Sequence, residues 1–149
     1  MRAVIQLVKE SSVTVSGDET GAIKKGLLIF LGVTRDDSEK DAVYLAEKIV
    51  NLRIFQDHDD KMNLSLLDID GEALVVSQFT LYGDCRKGRR PSYSKAAGPE
   101  KAEQLYNFFI NQIEGFGVSV GTGIFQAMME VHLVNNGPVT LLVDSDKTF

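Results

Sequence analysis

Ala73-Leu74-Val75-Val76-Ser77-Gln78-Phe79-Thr80-Leu81 is the stretch whose reading decides how the chain is built. Its first half is an unbroken apolar run rich in β-branched residues, which predicts a central strand. Polar groups then gather at its end, in Ser77, Gln78 and Thr80, where strands commonly meet ligands. A second segment, Asn135-Asn136-Gly137-Pro138-Val139-Thr140, leads into another β-branched run, Leu141-Leu142-Val143. Gly137 admits positive φ and close approach of another group to the backbone. Pro138 fixes φ, removes a donor, and is the residue type for which a cis peptide is cheap. The pair therefore offers two carbonyls in a rigid orientation. Taken alone, the same two residues also make a plain turn between strands.

Outward from these segments, residues 2–9, 12–17, 20–24 and 26–33 read as strands, with turns at Gly17-Asp18 and Lys25-Gly26. Asp36-Asp37-Ser38 supplies N-cap candidates for a helix to about Val50, with Ala42, Leu45, Ala46 and Ile49 as its apolar stripe. Leu52–Phe55 reads as a strand, Asp57–Lys61 as an acidic loop and Gly83–Pro91 as a basic one. Pro99 suits the first turn of a second helix to about Glu114, with Ala102, Leu105, Phe109 and Ile113 inward. Strands are expected again at 118–120, 127–134 and 139–143. Two helices among many strands, without strict alternation, give an α+β class with mostly antiparallel pairing.

The chain has 149 residues, 44% hydrophobic and 25% charged, which suits one globular domain spanning 1–149. No apolar run approaches the ~20 residues of a membrane span. A lone cysteine, Cys85, forms no internal disulfide and fits a reducing cytoplasm. A net charge of −5 argues against broad nonspecific nucleic-acid binding. It leaves room for a local basic patch at Arg86, Lys87, Arg89 and Arg90.

Several motifs fail on chemistry. Asp57-x-Asp59-x-Lys61 starts like a calcium loop but puts lysine where an oxygen ligand belongs. His58 and His132 have no Cys or His at metal spacing, so a metal site is not expected. The glycines from Gly115 to Gly123 match neither dinucleotide nor P-loop spacing. A Ser77–His132–Asp triad lacks a nucleophile elbow. Cys85 has cationic neighbours that favour its thiolate but no evident histidine partner.

The motifs VVSQFTL (Val75–Leu81) and NNGPVT (Asn135–Thr140) resemble the two signatures of the D-aminoacyl-tRNA deacylase family. The similarity extends to Met1–Val8 (MRAVIQLV), Gly26–Val33 (GLLIFLGV), Asn51–Phe55 (NLRIF), Lys61-Met62-Asn63, Gly88–Ser92 (GRRPS) and Thr122–Met129 (TGIFQAMM). It covers nearly the whole chain.

The resemblance implies two sheets closed into a barrel-like core with two helices outside, assembled as a homodimer with active sites at the subunit interface. It implies hydrolysis of the ester of D-aminoacyl-tRNA, and of glycine mischarged on tRNA(Ala), in the cytoplasm, with no metal or cofactor. Such an ester is already labile, so oxyanion donors suffice without a strong base. The backbone amides near Phe79 and Thr80 are the donor candidates. Thr80 would orient water or ester, with Ser77 and Gln78 beside it, and the tRNA 2′-hydroxyl would assist.

By the same resemblance Gly137-Pro138 is cis and reaches into the partner's site, where it excludes L side chains. Phe125 and Met129 would hold the terminal adenine. Ala97 would line the pocket, and the basic loop would meet tRNA phosphates or stay merely solvated. One departure stands out. Members of the family usually carry Arg where this chain has Leu7, and that Arg helps anchor the Gly-Pro segment of the partner, so either this anchoring is lost here or another cation, such as Arg2 or Lys9, substitutes. Two other readings stay open: a nucleic-acid-binding module without catalysis, and a hydrolase of another small ester or amide.

Overall fold

The computed structural model describes residues Met1–Phe149. In chain order its elements are β1 (Arg2–Val15), β2 (Asp18–Ile23), β3 (Gly26–Gly32), α1 (Glu39–Val50), β4 (Phe55–Gln56) and β5 (Met62–Leu64). There follow β6 (Glu72–Ser77), a 3₁₀ turn (Phe79–Tyr82), α2 (Pro99–Gly115), β7 (Val120–Thr122) and β8 (Glu130–Asp144). One six-stranded sheet runs β2-β1-β3-β6-β7, with β8 on the other side of β1; β4 and β5 form a separate ribbon. The expected pair of sheets is thus one large curled sheet and one small ribbon. Pairing is antiparallel around β1, while β3, β6 and β7 run parallel. The sheet curls until β2 meets β7. A Cβ on Gly21 would stand 2.4 Å from the Thr122 carbonyl oxygen, so only glycine lets the two edges approach this closely.

Alternation divides the sheet's side chains between two cores. Ala3, Ile5, Leu27, Ile29, Leu31, Ala73 and Val75 face the helices and pack with Leu45, Ile49, Phe109 and Ile113. Val8, Val13, Leu28, Leu74 and Val76 point the other way, into the curl. The predicted helical stripes are buried as expected, except that Ala102 is only half-buried. The Ser38 backbone N–H donates to Asp41 at 2.8 Å, which starts α1 one residue after the predicted cap candidates.

Several boundaries differ from the sequence expectation. The two predicted N-terminal strands fuse into β1, because Val8 to Ser11 stays extended across a pairing irregularity. The two last strands likewise fuse into β8, which begins at Glu130, leaving Ala127–Met129 in a loop. Leu52–Phe55 shrinks to Phe55–Gln56, whose only partner is the short β5. The predicted strand 73–81 stops at Ser77. Gln78 still donates its N–H to the Leu31 carbonyl at 2.8 Å, but β3 ends at Gly32 and offers nothing further to pair with, so the chain turns.

Candidate active site

Where the parallel strands β3 and β6 end, a cavity of about 590 Å³ opens. That is within the size range of small-ligand sites. Leu31, Val33, Val76, Ser77, Gln78 and Phe79 form one wall, Ala97, Pro99 and Ala102 a second, and the segment Phe125–Met129 the third. Of the residues expected at a site, Ser77, Gln78, Phe79, Ala97, Phe125 and Met129 therefore share one cavity. No lining residue is ionisable.

Two of the walls are set by buried chemistry. Tyr106 donates its hydroxyl to the Val75 carbonyl at 2.8 Å, and its ring lies 6.0 Å from that of Phe125. Burial pushes the Tyr106 hydroxyl pKa up to about 12, so it remains a proton donor to β6 across the neutral range. Gln126 sits at φ +63°, an uncommon conformation for a residue with a Cβ. This local reversal lets Phe125 and Met129 both contribute to the lining.

The polar end of the site is the 3₁₀ turn. Phe79 and Thr80 are its first two residues, and their backbone N–H groups donate to no protein acceptor. First-turn amides have no partner within their own helix. The expectation that they sit on a strand end is corrected accordingly: the break in pairing after Gln78 is what frees them. Thr80 is exposed beside the lined cavity, and its Oγ1 accepts from the Gln78 side-chain amide. The Thr80 O–H thus keeps its own proton to donate.

Gly137 and Pro138 lie elsewhere. Their peptide bond is cis, both residues are exposed, and neither lines the cavity of its own chain. In the β1–β8 ladder Gln6 pairs with Thr140 and Val8 with Asn135, so Asn136, Gly137, Pro138 and Val139 stand opposite Leu7 alone. Surplus residues have no partners and are pushed out of the sheet. Asn135 closes the base of this bulge: its side-chain amide donates at 3.0 Å to the carbonyls of both Leu7 and Val139.

The Leu7 side chain is buried in the helix-side core. Within its own chain Arg2 is engaged away from the Gly-Pro segment. Its guanidinium is engaged by Asp144 at 3.0 Å and lies over the Tyr82 ring at 4.8 Å. Lys9 is exposed and in no ion pair. The side chain that holds the segment is Asn135, which sequence reading placed in the motif without a role.

His132 lines a different groove with Glu10 and Glu19, apart from the cavity that holds Ser77, which removes the imagined triad. Cys85 is exposed on the basic loop, outside that cavity. Sequence reading missed Pro99, Ala102 and Gln126 as lining residues. Apolar side chains on the first turn of α2 and an amide in a loop carry no chemical signature until the fold brings them together.

The family model described as D-Tyr-tRNA(Tyr) deacylase matches residues 4–144. The chain is 63% identical over the full length of both sequences to the D-aminoacyl-tRNA deacylase of Syntrophobacter fumaroxidans, and 60% identical, again over both full lengths, to that of Alkaliphilus metalliredigens. A solved structure named c-Myc DNA Unwinding Element Binding Protein superposes with a TM-score of 0.91 at 38% identity, covering 97% of this chain and 98% of the other. A probable eukaryotic D-amino acid tRNA deacylase shares the fold at TM-score 0.81 and 16% identity, covering 95% and 97%.

Proposed function

The chain belongs to the D-Tyr-tRNA(Tyr) deacylase family, and on that premise we propose that it hydrolyses the ester joining a D-amino acid to tRNA. The observation that carries this reading is a cavity with a neutral, mainly apolar lining that ends at Phe79, where the unpartnered amides of Phe79 and the adjacent Thr80 begin the 3₁₀ turn. Water attacks the ester carbonyl carbon. The oxyanion of the tetrahedral intermediate takes the two N–H groups, and its collapse expels the ribose oxygen, which leaves as a hydroxyl. Donors placed for developing charge are worth several kcal/mol in a site that excludes water. Thr80, its Oγ1 held by the Gln78 side-chain amide and with Ser77 nearby, orients the water or the ester. The tRNA 2′-hydroxyl takes up the proton-transfer work that no lining side chain offers. Phe125, Met129 and Ala97 hold the terminal adenosine.

Gly137 and Pro138 supply the chirality filter from the second subunit of a homodimer. Their exposure, their distance from the cavity of their own chain, and the exposed Val134 and Leu142 on the same strand support this arrangement. Carbonyls of the pair hold the substrate's α-amino group and occupy the space an L side chain needs. Exclusion of this kind discriminates more strongly than an added attraction. Glycine, with no side chain to exclude, is then a substrate too, including glycine on tRNA(Ala). The whole of residues 1–149 acts as one domain, in the cytoplasm.

The test is to incubate chelator-treated protein with D-Tyr-tRNA, L-Tyr-tRNA and Gly-tRNA(Ala) and follow loss of the ester. Hydrolysis of the first and third alone is expected. Brisk hydrolysis of the L-ester would sink the exclusion mechanism. Binding of nucleic acid with no cleavage of any ester would favour a purely binding role, the one suggested by the name of the 38%-identical structure.

A further inference from the structure

We infer that the loop Asp84–Lys95 is a second RNA-contacting surface, which takes backbone phosphates preceding the terminal adenosine; the inference rests on the function proposed above. On a chain of net charge −5, this loop concentrates Arg86, Lys87, Arg89, Arg90 and Lys95. The structure separates their roles. Arg86 is spent internally: its Nη2 and Nε donate to Asp84 at 2.6 and 2.9 Å. That contact holds the Asp84 carboxyl well below the usual carboxylate range. Asp84 and Ser92 also exchange backbone hydrogen bonds of 2.8 and 2.9 Å, so the loop is stapled at its base. Lys87, Arg89, Arg90 and Lys95 are exposed and in no ion pair.

Both ends of the stapled loop are fixed to the cavity. At one end the Gly83 N–H donates to the Thr80 carbonyl at 2.9 Å. At the other, the chain passes through Ala96, paired with Thr34, directly into the lining residue Ala97. Tyr93 packs edge-on against Phe79 with ring centroids 5.1 Å apart, yet stays 40% exposed. Four free cations and an exposed aromatic ring are therefore carried on a loop whose two ends both adjoin the cavity. Cations tracking phosphates, with an aromatic face on which a base stacks, are the chemistry of single-stranded RNA binding. The 3′ end of tRNA is such a strand, and a loop anchored at both ends to the cavity is within reach of the nucleotides that precede the one the cavity takes.

The test measures binding of uncharged tRNA to wild type and to the Lys87→Ala/Arg89→Ala/Arg90→Ala variant as salt is raised. Each lost single-strand phosphate contact flattens the log–log salt slope by about 0.7, so three flatten it by about 2. Between about 50 and 200 mM salt, wild type should then lose roughly 20-fold more affinity than the variant. Equal slopes would overturn the inference. A Lys87→Glu variant repeats the measurement should the triple variant fail to fold, and its slope should also be shallower than wild type. Because uncharged tRNA carries no ester, the result stands whether or not the protein is a deacylase. Hydrolysis of 3′-O-D-tyrosyl-adenosine, which has no phosphates, tests that separately. The ratio of kcat/KM on D-Tyr-tRNA to that on the adenosine ester should fall at least about tenfold in the triple variant.

Discussion

Ser77–Leu81 and Asn135–Thr140 carry the two signatures of the chain, yet the fold treats them oppositely. The first is tied into its own subunit: Ser77 ends a parallel strand, Gln78 still bonds to Leu31, and the turn forms a wall of a cavity built from one chain. The second is expelled from its ladder, with Gly137 and Pro138 exposed and no cavity of the same chain behind them. One half of the chemistry is enclosed and the other is presented outward. In the proposed homodimer a second copy completes the split site, and a two-fold axis would make two equivalent sites.

The strongest way to break that comparison is complementation. Ala97→Phe fills the cavity of its chain. Gly137→Val disrupts the presented segment, because Gly137 sits at φ +111° and a Cβ there would stand 2.8 Å from Val139 Cγ2. Each variant alone should lose at least about 100-fold in rate on D-Tyr-tRNA, since each removes positioning groups. Refolded together in equal amounts, they should recover about a quarter of wild-type activity, because half the dimers then hold one intact site of two. No recovery, with heterodimers present, would place both halves of the site in one chain.

The two regions also differ in how far they could be read from sequence. The apolar run 73–76 and the helical stripes around Leu45 and Phe109 were legible because burial imposes a period on them. The cavity wall at Ser77–Phe79 was legible as a strand end, but its 3₁₀ geometry was not. That turn depends on where the neighbouring strand β3 stops, which is a property of pairing. The bulge at Asn136–Val139 was hidden for a similar reason: register between β1 and β8 decides how many residues are surplus. Leu7 shows the limit most clearly. Within the chain the segment is tied to the backbone carbonyl of position 7, which any residue there provides, so the side chain at that position carries no sign of the tie.

A contrast between Asn135 and Thr80 sharpens the comparison at intermediate size. Thr80→Val should lower kcat on D-Tyr-tRNA by about 10- to 100-fold if its hydroxyl orients the reacting groups. Its stability should stay within about 0.5 kcal/mol of wild type, because the side chain is exposed. Asn135→Ala should do the reverse in kind. It leaves the Leu7 and Val139 carbonyls without their side-chain donor, so a stability loss of about 1–3 kcal/mol is expected from urea midpoints. It should also let L-Tyr-tRNA be cleaved faster relative to the D-ester. A stable, fully selective Asn135→Ala protein would show that the bulge is held by its own backbone.

The smallest effect concerns the connection between the two regions. Arg2 links them: its Nε binds Asp144 at the end of β8, and Nη1 reaches the Leu81 carbonyl at 3.5 Å, within the 3₁₀ turn. Burial raises the Asp144 pKa, but hydrogen bonds from Thr148 and the Asp146 backbone, together with Arg2, outweigh it and leave the carboxyl below its usual range. A carboxyl with a depressed folded-state pKa contributes stability above its unfolded value near 4 and loses it as pH falls through the folded value. Asp144→Asn should therefore cost about 1 kcal/mol at pH 7. The gap from wild type should narrow below about pH 4, as wild-type Asp144 takes up its proton. Urea midpoints of both proteins at pH 7 and pH 3 measure this. If the link also steadies the turn, Asp144→Asn should lower kcat more than it raises KM, at a temperature where both proteins are fully folded. An undiminished gap at pH 3 would mean that Asp144 acts through packing, and the two halves of the site would then be joined within one chain by shape alone.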